Sequence, residues 1–174
     1  MRAALFVCAL AVSGCVQHSA QPVTLAPPDP FTHTRYAEDP HRGVGQFSGP
    51  RETQRASHDT TITWMLRSFE RLSGGQITHQ IYIIVEYRGD WRFYDGAAAY
   101  GASMPVIQIN REVVSCLPDP CRVREHIAIE MPDHILTDMR QFALDFAIYG
   151  RGVRHDITLP PEYVDGYLRR VRGV

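Results

Sequence analysis

The sequence predicts a mainly β chain, an antiparallel β-sandwich-like domain with two short helices, the second of them a C-terminal amphipathic one. Three observations carry this prediction. From about Thr60 onward, short runs of β-branched and aromatic residues alternate at period two, as in Thr78–Arg88, THQIYIIVEYR. Gly-, Pro- and Asp-containing breaks separate these runs at close intervals. The two helical patterns fall at a corner and at the chain end, not between every pair of strands, which argues against a doubly wound parallel sheet.

The elements follow in order. Within Thr60–Leu72, Ile62, Trp64 and Leu66 alternate, whereas Leu66, Phe69 and Leu72 recur at helical spacing; the first half reads as strand. Thr78–Arg88 is the clearest strand. Gly89-Asp90 fits a two-residue hairpin loop, so that Trp91–Tyr94 returns with Arg88 facing Trp91 and Glu86 facing Phe93. Tyr82, Ile84, Trp91 and Phe93 would then share one face, and Ile81, Ile83, Val85, Tyr87 and Tyr94 the other. With both faces apolar, this hairpin should be central and covered on both sides.

Pro105–Ser115 and Arg122–Met131 are the next two strands, joined through Leu117-Pro118-Asp119-Pro120. Pro132-Asp133 opens a short helix, with proline in the first turn and a carboxylate at the positive end of the dipole. Phe142, Leu144, Phe146 and Ile148 alternate as a strand, and Gly150-Arg151-Gly152 turns it into Val153–Leu159. Pro160-Pro161-Glu162 opens the last helix, on which Tyr163, Val164, Tyr167, Leu168 and Val171 form one apolar stripe. His126–Arg140 echoes His155–Arg169, which we read as shared capping chemistry and not as a repeat.

Before this domain the chain has a different character. Met1–Cys15 reads MRAALFVCALAVSGC: one cation, a short apolar run, then Val-Ser-Gly-Cys. The apolar run is too short to span a bilayer, where about 20 residues are needed, and suits a secretory signal. The Val12–Cys15 ending resembles the lipobox of bacterial lipoproteins. The resemblance implies cleavage before Cys15, lipidation of Cys15 with diacylglycerol and an acyl chain such as palmitate, and, with Val16 following, export to the outer membrane of a Gram-negative cell with the domain facing the periplasm. Residues 1–14 are then signal peptide. Residues 15–58, with six of the twelve prolines, show no apolar period and are expected to be a flexible tether, which as a coil spans roughly 40 Å. Residues 59–174 are the β-rich domain.

Four cysteines are present. Cys8 leaves with the signal and Cys15 takes the lipid, so Cys116 and Cys121 remain, an even, closely spaced pair that in an exported chain reads as a disulfide. It would pin the register of the hairpin it closes, which a one-residue slip would invert.

Composition excludes some chemistry. A net charge of −1 gives no reason to expect nucleic acid as a partner. All 18 basic residues are Arg, so Lys-dependent chemistry such as a Schiff base or a P-loop is absent. Gly43, Gly45 and Gly49 follow no strand and open no helix, so they do not form a phosphate loop. Neither G-x-S-x-G nor HExxH occurs, and Ser57-His58-Asp59 are neighbours that cannot converge as a triad. Arg88-Gly89-Asp90 spells an integrin-recognition tripeptide, but the turn alone accounts for its Gly and Asp. No metal, cofactor or catalytic residue is assigned. Tyr82, Trp91 and Phe93 are the candidate partner-binding aromatics. The expectation is a non-catalytic binding or assembly module, held to the membrane by its lipid and engaging an envelope protein or cell-wall component. The alternative is a periplasmic hydrolase or small-ligand carrier whose site is assembled from scattered groups such as His126, His134 and His155.

Overall fold

The computed structural model describes residues 28–174; the signal sequence and Cys15 lie outside the described residues. The order of elements is α1 (Pro30–His33), β1 (Arg35–Asp39), β2 (Val44–Ser48), β3 (Glu52–Arg55), β4 (Thr61–Arg71), β5 (Thr78–Arg88), β6 (Gly96–Ala99), β7 (Ala102–Met104), β8 (Val106–Ser115), β9 (Arg122–Met131), α2 (Asp133–Asp138), β10 (Leu144–Gly150), β11 (Val153–Leu159) and α3 (Pro161–Arg172). Every strand pair is antiparallel. The first sheet runs β1-β2-β4-β5-β9-β8, with β3 also paired to β4; the second runs β11-β10-β6-β7. The mainly β, sandwich-like class expected from the alternation is the class observed.

One contiguous core joins the layers. Ile62, Trp64 and Leu66 of β4, Ile81, Ile83, Val85 and Tyr87 of β5, and Val123, Ile127 and Ile129 of β9 face inward from the first sheet. Against them lie Leu144, Phe146, Ile148, Ile157 and Leu159 of the second sheet and the apolar stripe of α3. Tyr163 of α3 meets Trp64 edge-on at 4.9 Å between ring centroids, and its hydroxyl donates to the Pro50 carbonyl at 2.7 Å. A Cβ on Gly49 would lie 2.6 Å from that hydroxyl, so the close approach requires glycine there. At the end of α3, Gly173 takes a φ of 69°, the left-handed cap that glycine adopts at low cost.

Several expectations need correction. Pro30–Arg55, read as tether, forms α1 and β1–β3, which extend the first sheet past β4. Its prolines fall in α1 and in turns, where they fit, and the strands are too short and too polar to show a period. Among the described residues three helices are present in place of two. Thr61–Arg71 is strand throughout; Leu66 faces the core and Phe69 the other side, so their helical spacing is coincidental. The expected β5 hairpin does not form: β5 pairs with β4 and β9, and residues 89–95 carry the chain toward the second sheet. Strand β5 is central but covered on one face only, with Tyr82 and Ile84 half-buried on the other. Strand β10 begins at Leu144, leaving Phe142 67% exposed. Among the described residues no helix is long and apolar enough to cross a membrane.

Candidate functional site

Loop 89–95 is held by a residue on β9. Glu125 is fully buried, and its carboxylate accepts from the Tyr87 hydroxyl, from the backbone N–H groups of Arg92 and Phe93, each at 3.0 Å, and from Nε of Arg111 at 3.0 Å. Burial, and next the Glu125 contact, push the Tyr87 hydroxyl pKa up and keep it a donor. The Arg92 guanidinium lies 4.1 Å over the Tyr87 ring and donates to the hydroxyls of Thr60 and Tyr94. Tyr94 in turn reaches His155 Nε2 at 2.9 Å, and burial lowers the His155 pKa. These groups satisfy one another inside the sandwich. They fix a crossover between the two sheets.

The three expected partner-binding aromatics do not share one strand face. Trp91 packs against the edge of the core. Phe93 takes a φ of 52° in the clamped loop, and its ring carries the guanidiniums of Arg111 at 4.6 Å and Arg151 at 4.0 Å. Tyr82 alone stands on the uncovered face of the first sheet. There its hydroxyl meets His126 Nδ1 at 2.6 Å, and Arg67 stacks on its ring at 4.3 Å. His126 Nε2 and Arg124 reach Glu112 at 3.4 Å and 2.7 Å, and these contacts hold the Glu112 carboxyl below the usual carboxylate range. Arg124 also pairs with Glu86 at 2.6 Å. Stacked arginines and paired charges thus screen the apolar residues of this face.

The hydrolase alternative has its best geometry at residues that the sequence reading did not single out. Ser68 Oγ lies 2.7 Å from His79 Nδ1, and His79 Nε2 lies 3.1 Å from Asp133. The arrangement has the order of a Ser-His-Asp triad. Ser68 is fully buried, however, and its Oγ is also shared with the Tyr167 hydroxyl at 2.5 Å. Neither Ser68 nor His79 lines any of five well-formed clefts on the described surface. The relay ties β4 and β5 to α2 and α3, and Arg172 completes it by binding Asp133 at 2.9 Å. His126 and His155 belong to different sheets and to separate networks, and His134 is exposed on α2. Among the described residues no three His, Cys, Asp or Glu side chains are grouped to hold a metal ion.

The open feature of the molecule is a strand edge. Among the described residues β8 ends the first sheet with ten residues and no neighbour on its free side. Ile109, Val113, Val114 and the following Leu117 are 43%, 56%, 42% and 88% exposed. The ladder with β9 is interrupted by bulges at Ile109 and Val114. The strand ends at Ser115, next to Cys116, whose sulfur lies 2.02 Å from that of Cys121, so the expected disulfide clips the β8–β9 hairpin. At its other end, Pro105 leads out of an apolar cleft of about 310 Å³ between the β6–β7 hairpin and α2, lined by Met104, Met131, Ile135, Met139 and Leu144, with Glu130 beside it. The remaining edges are short or charged: β7 has three residues, β1 reads RYAED, and β11 exposes Arg154, Asp156 and Thr158. Sequence reasoning did not single out β8 because an edge is a property of strand order. Comparison with protein-family models, curated proteins and solved structures finds no match to this chain.

Proposed function

We propose that this chain is a lipid-anchored lipoprotein of the outer membrane, held by acyl groups on Cys15, whose periplasmic β domain is a non-catalytic binding and assembly module for an envelope protein. The observation that carries the binding role is the β8 edge. A long edge strand with exposed aliphatic residues is a template for pairing, and folded proteins blunt such edges unless they use them. Satisfaction of the buried polar groups supports the same reading, since Glu125, Ser68 and His79 are consumed by structural contacts. The anchor rests on the lipobox-like Val12–Cys15, and each acyl methylene buried in the membrane adds about 0.8 kcal/mol, so several chains hold the protein firmly.

Two experiments test this. Cys15→Ala is expected to abolish labelling by radioactive palmitate and to leave a larger, unprocessed precursor; unchanged labelling contradicts the anchor. Crosslinking in intact cells, followed by affinity purification of the lipidated protein, is expected to return a defined envelope protein. Background alone, together with substrate turnover by the purified protein, would overturn the binding role in favour of the enzyme.

A further inference from the structure

We infer that the cleft between β3 and the start of α3 takes an arginine side chain of a partner polypeptide. Glu52 pairs with its guanidinium, and Trp64 Nε1 donates to the peptide carbonyl beside it. The inference rests on the binding reading and adds a second contact, away from β8, together with the chemistry of what it holds.

The site begins with strand register. Glu52 of β3 pairs directly with Trp64 of β4, so both side chains leave the sheet on its inward face, with Cβ atoms about 4.5–5.5 Å apart. Gln54, the other inward residue of β3, donates to the Asp156 carbonyl at 2.9 Å. Glu52 has no such partner among the described residues. Burial alone raises its pKa, with no neighbouring cation among them to oppose the shift.

Trp64 marks the same place independently. It is 4% exposed and meets Tyr163 edge-on, yet its indole N–H finds no acceptor among the described residues. No enclosed side-chain nitrogen or oxygen among them lacks a partner. Nε1 is therefore open, and the cleft that the ring lines is where it opens. A buried indole normally finds a partner for its N–H, so this donor calls for an acceptor from outside.

The cleft holds about 430 Å³, and Trp64, Tyr163, Pro28, Pro30 and Pro160 give it apolar walls. Its other residues are mostly acidic. Asp165 is already bound by Arg140 at 2.6 Å and by Arg169 at 3.1 Å. Asp29, Glu52 and Glu162 form no ion pair among the described residues. Three carboxylates thus line the opening without a counter-charge.

The chemistry of the ligand follows from the two halves together. A metal ion or a simple amine would leave the indole N–H without an acceptor. An arginine residue supplies a carbonyl for Trp64 and a planar, weakly hydrated guanidinium that pairs with a carboxylate and suits aromatic and proline walls. The protein stacks its own guanidiniums in this way, Arg92 on Tyr87 and Arg67 on Tyr82.

The test titrates the full-length protein, in detergent at low salt, with a short blocked alanine peptide carrying one arginine. The control is the same peptide with citrulline, a neutral isostere. Calorimetry is expected to show the arginine peptide bound at least about tenfold more tightly, as a charge-assisted hydrogen bond implies, and less tightly as salt is raised. Glu52→Gln is expected to abolish that preference while melting no lower than the parent, because it removes an unpaired carboxylate. A lower melting point would assign Glu52 to the fold and overturn its role here. Trp64→Phe keeps a ring, loses the donor and is expected to weaken both peptides alike. Equal binding of the two peptides, binding of neither, or an unchanged preference in Glu52→Gln overturns the inference. If an envelope protein is still recovered by crosslinking in cells, the binding role stands without this site; if crosslinking returns background alone, both fail.

Discussion

Glu125 occupies a strand position whose neighbours of the same parity, Val123 and Ile127, are core residues. A buried carboxylate persists only when its lone pairs are filled, and here a hydroxyl, two backbone N–H groups and a guanidinium fill them. Glu125→Ala is expected to cost about 3–5 kcal/mol, because it strands those donors. Glu125→Gln keeps an acceptor and is expected to cost less. Urea denaturation measures both, and an alanine variant within about 1 kcal/mol of the parent contradicts the clamp. The residue was within reach of the sequence, since an acid on the apolar parity of a strand demands partners. Its partners were not, because Arg111, Tyr87 and loop 89–95 meet only once β5, β9 and β8 are placed side by side. Ser68 and His79 follow the same logic, falling in phase with Leu66 and Ile81.

His79 also sets a pH dependence. Burial lowers its pKa, while Asp133, Ser68, Tyr167 and Arg172 surround it. The unfolded histidine takes up a proton below about pH 6.5 and the folded one resists it. The unfolded state therefore binds more protons, and stability falls as pH drops through this range. His155, lowered by burial as well, acts in the same direction. The urea midpoint is expected to decline from about pH 7 to about pH 5, and less steeply in His79→Gln, which itself loses about 1–3 kcal/mol at neutral pH. An identical pH profile in the variant would show that His79 is not the group responsible.

At the scale of elements, the disulfide was legible because Cys116 and Cys121 form a close, even pair flanking a turn. The bridge closes a very short loop, worth about 2 kcal/mol in the loop-closure model. The double variant Cys116→Ala/Cys121→Ala is expected to fold with a stability loss of that order, read from its thermal midpoint. Failure to fold would assign the hairpin a larger role. The β5 hairpin was misread because Gly89-Asp90 has turn chemistry, and Gly89 does take a φ of 110°. That chemistry fixes a bend, not the neighbour that follows it. Strands β5, β9 and β11 and helix α3 were legible from period and capping, since each buries one defined side, whereas β8 was placed from its residue types although none of its residues is buried.

At the scale of the molecule, the fold begins well before the expected boundary at His58. Strands β2 and β3 pair with β4, and the Pro50 carbonyl accepts from the Tyr163 hydroxyl, so β1–β3 belong to the packed domain. A chain shortened to begin at Pro28 is expected to keep a β-dominated circular dichroism spectrum and a cooperative melt, and one beginning at His58 to lose several degrees or fail to fold. Equal melting of the two would restore the boundary at His58. Short polar strands cover little apolar surface, which is why period alone did not reveal them.

The β8 edge is where the fold meets the proposed role, and one measurement addresses it most directly. A photo-crosslinking side chain is placed in turn at Val113 on β8, Tyr82 on the open sheet face and Thr158 on the second sheet of the full-length protein in intact cells. The account predicts a discrete adduct from Val113 and none from Thr158. A silent Val113, or an equally strong adduct from Thr158, would contradict it.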